Sequence, residues 1–349
     1  MSNISLADGS PPGRSWSRPA QRLYDLITTS WVSAAVGAAA ELGLADAMST
    51  EPRSVEQIAS QVGADPDALR RLLRACAELE LVDQRSDDRF ALTELGGALR
   101  EDAPDSMRAY ARWINSPPER GTMAYLADAI RTGREVFEAV HGTPVWHYLR
   151  QHPELAELFD RGMVNISAQV TGSLVEGYDF GDIRCLVDVG GGRGRMLSQL
   201  LRAYPELRGV LFDQPEVVGQ PEPALQHPDL AARCRIEGGS FLESVPAGSD
   251  AYLLVSVIHN WNDEQAVRIL THCRRAMVEG GRVLLAEVLV PEGSEPAPMA
   301  TFMDLSMLTH CDGKQRTAAQ LAGLLERSGL RMRRIVHTEG VSVVEGVGA

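Results

Sequence analysis

Two stretches of this chain hold residues that could do chemistry together. The first is Asp188-Val189-Gly190-Gly191-Gly192-Arg193-Gly194, where a short apolar run ends in an acid and a cluster of glycines. Glycines at such a turn let the backbone approach a ligand closely, and an acid there or farther on can bind a ribose. The second is Ser256-Val257-Ile258-His259-Asn260-Trp261, a histidine beside a tryptophan just past another apolar run, where a substrate would sit. Two further signals lie between them. Asp213 closes Leu211-Phe212-Asp213, 23 residues after Gly190, and Gly238-Gly239-Ser240-Phe241 offers a backbone turn and an aromatic for a base. The plain alternatives are an ordinary strand-to-helix turn and a surface histidine at a helix start.

The elements that must position these residues alternate from Ile183 onward, which predicts a mostly parallel sheet with helices on its faces. Predicted strands are 184–189, 209–212, 234–237, 251–255, 282–288, 331–336 and 341–344, with amphipathic helices at 197–203, 264–277 and 318–328. In such a sheet the ligand lies off the carboxyl ends of the strands, where all four signals fall. A dehydrogenase would need Gly-x-Gly-x-x-Gly, but the third glycine would fall at Arg195. The observed spacing, Gly190, Gly192 and Gly194, favours S-adenosylmethionine over a nicotinamide dinucleotide.

The preceding half reads differently. Residues 21–48 form an alanine-rich helical pattern with Leu23, Ile27, Trp31 and Leu42 on one face, suited to close packing against a second subunit or the domain core. Ser54 with Gln57 makes a capping box, Gly63 ends that helix, and Asp65-Pro66 opens the next. Two short strands follow, at Leu81-Val82 and 90–92, completing a winged-helix outline. A DNA-binding regulator must therefore be weighed, but residues 54–100 hold nine acids against six bases, a net of −3. Residues 105–178 are mostly helical, and Trp113, Trp146, Phe159 and Met163 there are either core or the wall of an apolar pocket.

At 349 residues the chain fits two domains, and 44% hydrophobic content is that of a globular protein. The formal charge of −13 argues against a general nucleic-acid binder. Five scattered cysteines, never spaced as CxxC, give no disulfide framework or zinc site. The longest small-apolar run, from Trp31 to Ala40, is too short to span a bilayer, and the polar first 19 residues lack a signal-peptide core. A cytoplasmic protein with no membrane partner and no metal is expected.

Taken together, Leu186–Gly192, Phe212-Asp213-Gln214-Pro215, Gly238-Gly239, His259-x-Trp261-x-Asp263-Glu264, Ala286-Glu287 and Gly313-Lys314-Gln315-Arg316-Thr317 occur in one order along the chain. His152-Pro153-Glu154-Leu155 and Phe159–Met163 join them. In these motifs the chain resembles the plant-type small-molecule O-methyltransferases of the caffeic acid family and their bacterial natural-product relatives, from about Gln21 to the C-terminus. The resemblance implies a Rossmann-like α/β domain binding S-adenosyl-L-methionine at 179–349. Before it would come a leader at 1–19, a winged-helix dimerisation domain at 20–104 and a helical linker with the substrate pocket at 105–178.

It further implies roles for single residues. Asp188, Gly190 and Gly192 would line the methionine and ribose side of the donor, Asp213 the ribose, and Gly239, Ser240 and Phe241 the adenine. Ser167 and Ser256 would complete the cofactor set. His259 would be the general base and Glu287 the acid that orients it, while Trp146, Phe159, Met163, Met303 and Asp304 would line the acceptor pocket. The implied activity is methylation of an aromatic hydroxyl on a small secondary metabolite by a homodimer. The alternatives are C- or N-methylation of a similar ring, or a winged-helix regulator with a ligand-binding domain.

Methyl transfer is an in-line displacement, so the protein mainly positions the reactants and removes a proton. A phenol near pKa 10 and a histidine near 6.5 are mismatched by about 3.5 units, roughly 5 kcal/mol for full transfer in advance. The proton must leave as attack proceeds, or Glu287 must raise the basicity of His259. Four residues depart from the family pattern: Gln315 in place of a second supporting acid, Ser240 in place of an aspartate, Val255, and Asn260 after the histidine.

Overall fold

The computed structural model describes residues 16–349, leaving aside the side chains of 167–169. The expected leader thus lies largely outside the described residues, although the first helix already begins at Arg18. The chain divides into two compact units, 1–119 and 120–349.

In the first unit, helix α1 (Arg18–Glu41) is capped by Ser17, whose side chain accepts from the Ala20 N–H. Strand β1 (Arg53–Ser54) precedes α2 (Val55–Val62), which opens on the Ser54–Gln57 capping box and ends at a left-handed Gly63. Helix α3 (Pro66–Glu78) follows with Asp65 as its cap. The hairpin β2 (Val82–Gln84) and β3 (Arg89–Leu92) then takes β1 onto its edge, giving an antiparallel sheet in the order β1-β3-β2. Strand β1 has only two residues, too few for any periodicity to announce it. Ile58, Leu69, Leu73 and Phe90 form the core. Arg70 forms ion pairs with Glu56 of α2 and with Asp88 in the hairpin, so at least this basic side chain braces the module from within. By contrast Leu23, Leu26, Ile27 and Trp31 of α1 are exposed, Trp31 at 67%.

The second unit starts with short helices, of which α4 (Val145–Gln151) leads into the long α5 (Pro153–Gly177). A seven-stranded sheet follows: β4 (Cys185–Val189), β5 (Arg208–Asp213), β6 (Cys234–Gly238), β7 (Ala251–Val255), β8 (Arg282–Glu287), β9 (Leu330–His337) and β10 (Ser342–Gly348). The order is β6-β5-β4-β7-β8-β10-β9, parallel except for β10, which runs antiparallel to both neighbours. The longer helices among these strands are α6 (Arg195–Ala203), α7 (Asp263–Ala276), α8 (Pro298–His310) and α9 (Ala318–Arg327). Alternation along β4 sends Val187 and Val189 into one apolar layer and Leu186 into the other.

Strand β10 continues well past its expected end at Val344. The apolar pattern breaks at Glu345, yet that side chain is fully buried, receiving Tyr178 Oη at 3.0 Å, Arg333 Nη1 at 3.0 Å and Arg334 Nε at 2.7 Å. Paired in this way, a charge can stay inside a strand. No helix among the described residues is long and apolar enough to cross a membrane.

Candidate active site

Strand order reverses at β4, so a crevice opens beyond the carboxyl ends of β4 and β7, flanked by those of β5, β6 and β8. On one side the backbone dominates. Gly190 (φ +70°) donates its N–H to Phe212 O at 2.8 Å, and Gly192 (φ +58°) donates to Asp213 Oδ2 at 2.8 Å. Both φ values favour glycine, and a Cβ on Gly192 would meet nothing within 4 Å, so that backbone faces open space. Asp213 Oδ1 accepts from Gln214 N–H at 2.7 Å, and Gly239 N–H reaches Asp213 O at 2.9 Å. Burial raises the Asp213 carboxyl above its ordinary range, opposed by the two backbone donors. Each oxygen keeps a lone pair for a further donor.

Ser240 is half-buried, and Phe241, 9% exposed, meets Trp261 edge-on at 5.5 Å. Phe241 therefore joins the loop after β6 to the histidine turn. Ser256 bends left-handed at φ +53°, its N–H on Ala286 O at 2.9 Å. Ser167 lies on α5, its side chain outside the described residues. Asp188 stands apart. It points into the apolar layer beneath the turn, and a Cβ on Gly191 would lie 2.6 Å from its Cγ. Burial, then the Asp213 charge, pushes its carboxyl up to about 7, and its Oδ2 has no hydrogen-bond partner.

The other side is built from side chains. After β7 the chain makes a single 3-10 turn, Ile258–Asn260, before Asn262 caps α7. His259 Nδ1 lies 2.9 Å from Glu287 Oε2, and Glu287 Oε1 accepts the Ile258 N–H at 2.8 Å. Both residues are buried, at 8% and 3% exposure. One carboxylate thus fixes the ring and the backbone that carries it. With Glu287 ionised, Nδ1 holds the proton and Nε2 offers a lone pair.

A second layer holds this turn. Arg316 donates to Ile258 O at 3.0 Å, to Trp261 O at 2.7 Å and to Asp263 Oδ1 at 2.8 Å, while Lys314 reaches Asp263 Oδ2 at 3.0 Å. Gly313 packs so closely that a Cβ there would lie 2.1 Å from His259 O. The motif 313–317 is visible in the sequence, but the clamp of Arg316 on Asp263 is not. The available signal was an acid and two bases inside two motifs 50 or so residues apart.

Of the expected acceptor residues, Trp146 on α4 meets Phe159 on α5 edge-on at 5.8 Å, and half-buried Met163 follows one helical turn on. The Trp146 indole N–H is buried without a partner. Met303 and Asp304 are half-buried on α8, and Asp304 Oδ1 accepts the Gln315 N–H at 2.7 Å, tying that helix to the histidine clamp. No group of three or more metal-ligating side chains occurs among the described residues.

Residues 123–331 match the O-methyltransferase domain, and residues 24–102 match the O-methyltransferase dimerisation domain. The chain belongs to the O-methyltransferase family. It is 36% identical to a phenazine O-methyltransferase, PhzM, of Lysobacter antibioticus, over 93% of this chain and 94% of that one. It is 35% identical to a mitomycin biosynthesis 6-O-methyltransferase of Streptomyces lavendulae, over 90% of each. Among solved structures it is similar to NcsB1, an O-methyltransferase from neocarzinostatin biosynthesis, in complex with S-adenosylmethionine and 2-hydroxy-5-methyl naphthoic acid. That match has a TM-score of 0.80 and 34% identity, covering 91% of this chain and 96% of the other. This O-methyltransferase uses S-adenosylmethionine as its methyl donor. The residues fit that donor: open space faces the Gly192 backbone, and the Asp213 carboxylate retains acceptor capacity at the adjoining strand end.

Proposed function

We propose that this enzyme methylates a hydroxyl on a small aromatic secondary metabolite, with His259 as general base. The observation that carries the assignment is the buried His259–Glu287 pair at 2.9 Å, at the strand end beside the glycine turn. When bound, S-adenosylmethionine supplies an electrophilic methyl carbon. Gly190, Gly192, Asp213, Gly239, Ser240 and Phe241, with Ser167 and Ser256, hold the donor. Asp188 acts from beneath, supporting the turn. Trp146, Phe159, Met163 and Met303 face a flat ring, and Asp304 braces the loop behind it.

His259 Nε2 takes the acceptor proton as the oxygen attacks. Glu287 keeps the tautomer correct, and its charge stabilises the imidazolium as it forms. The exposed apolar face of α1 supports a homodimer: Leu23, Ile27 and Trp31 lie within or beside the segment matching the dimerisation domain. The site of action is the cytoplasm, a reading supported by five free cysteines.

The test is a panel of aromatic acceptors assayed with isotopically labelled methyl donor, with the attachment atom assigned by NMR. Oxygen-bound label on a phenolic acceptor is expected. Label on ring carbon or nitrogen would overturn the hydroxyl assignment.

A further inference from the structure

Gln315 is 4% exposed, and neither its Oε1 nor its Nε2 has a hydrogen-bond partner. It lines a narrow crevice with no room for a water molecule, together with His259, Glu287, Lys314, Arg316 and Leu321. An amide left unpartnered in the interior is costly, so its position calls for an explanation. The surroundings hold its backbone in place. The Gln315 N–H is bonded to Asp304, the next residue is bound to Ile258 O, Trp261 O and Asp263, and Val290 N–H closes on Arg316 O.

The charges around this crevice are already committed. Lys314 and Arg316 both pair with Asp263 of α7, and the Asp304 carboxylate of α8 is engaged by a backbone N–H. Glu287 of β8 is the carboxylate on the imidazole. Gln315 adds to this lining a group that has dipoles and no charge. A carboxylate within about 4–6 Å of a histidine favours its charged form and raises its pKa by about 1–3 units. A neutral amide at that place withholds this increase.

We propose that Gln315 is a positioning residue that keeps His259 a comparatively weak base, and so selects acceptor hydroxyls more acidic than a simple phenol. Such hydroxyls sit on rings bearing a conjugated carbonyl, a carboxyl group, a quinone or a ring nitrogen. For a phenol of pKa about 10, transfer to an imidazole of about 6.5 is uphill by roughly three to four powers of ten. An acceptor near 7 removes most of that mismatch. The proposal rests on His259 being the base.

The experiment measures kcat/KM for a series of substituted phenols of similar size with pKa from about 10 down to about 7, and the pH profile of the best acceptor. The enzyme is compared with Gln315→Glu and Gln315→Leu. With the unaltered enzyme, kcat/KM should rise toward the acidic phenols. In Gln315→Glu the acidic limb of the profile should move up by about one unit or more, and the preference for acidic phenols should shrink about tenfold. Gln315→Leu should leave the limb in place, and binding of S-adenosylhomocysteine should be unchanged in both.

No rise with acceptor acidity, a limb that stays fixed in Gln315→Glu, or a leucine variant shifted as far as the glutamate variant would each overturn the proposal. If the glutamate variant does not fold, the acidity series on the unaltered enzyme decides. A fully active His259→Ala would overturn the base assignment, and this proposal with it. An intact base with no acidity preference would overturn this proposal alone.

Discussion

The two sides of the crevice are made of different materials. The donor side is backbone: left-handed glycines, their N–H groups, and one carboxylate gripping the turn from the next strand. The histidine side is side chains stacked in depth, from His259 to Glu287 and outward to Arg316, Lys314 and Asp263. Damage should therefore spread differently. A change on the donor side alters local conformation and affinity, whereas a change on the histidine side alters charge and rate.

The sharpest way to break this contrast is His259→Ala. The expected loss in kcat is about 10²–10⁴-fold, with S-adenosylhomocysteine affinity by calorimetry unchanged. Loss of affinity on the same scale would mean that the two sides are not separable. Glu287→Gln should lower kcat about 10²-fold and move the acidic limb of the pH profile to lower pH. Removing the carboxylate removes what favours the imidazolium. A limb that rises would refute the pairing as described.

On the donor side, Gly192→Ala forces a Cβ into the left-handed region at roughly 1–2 kcal/mol. Donor affinity should drop about tenfold while kcat at saturating donor is retained, which initial-rate kinetics separates. The smallest effect belongs to Asp188, whose carboxyl burial raises to about 7. An acid with a raised folded pKa contributes stability that is fully present below its unfolded value, near 4, and is lost as pH rises through 7. Asp188→Asn should flatten that part of the decline when thermal midpoints are followed from pH 4 to 8. An unchanged slope would show that Asp188 is ionised in the folded protein.

The same contrast explains what the sequence could show. Glycine spacing and acids at the ends of apolar runs are local signals, so the parallel sheet and the crevice were legible from residues 185–263. The Ser54–Gln57 capping box and the Asp65-Pro66 helix start were legible for the same reason. The clamp was not, because Arg316 meets Asp263 and Ile258 only after the chain has passed through α7, β8 and α8. Alternation could not carry β10 through Glu345, whose burial depends on arginines of the neighbouring strand and a tyrosine at the end of α5. Nor could composition decide whether Asp188 lies on or under its turn. That depends on which face of β4 it occupies, a matter of register rather than residue type.

Ser256 is held left-handed at the entry to the histidine turn. A non-glycine residue at φ +53° stores strain of about 1–2 kcal/mol, and it does so where β7 gives way to the turn bearing His259. Glycine would relieve that strain, offset in part by about 0.5–1 kcal/mol of added freedom in the unfolded chain. Durability and aim are therefore set against each other at one residue. A Ser256→Gly enzyme should survive slightly more heat and hold its histidine less steadily, so its turnover should fall while its melting point climbs.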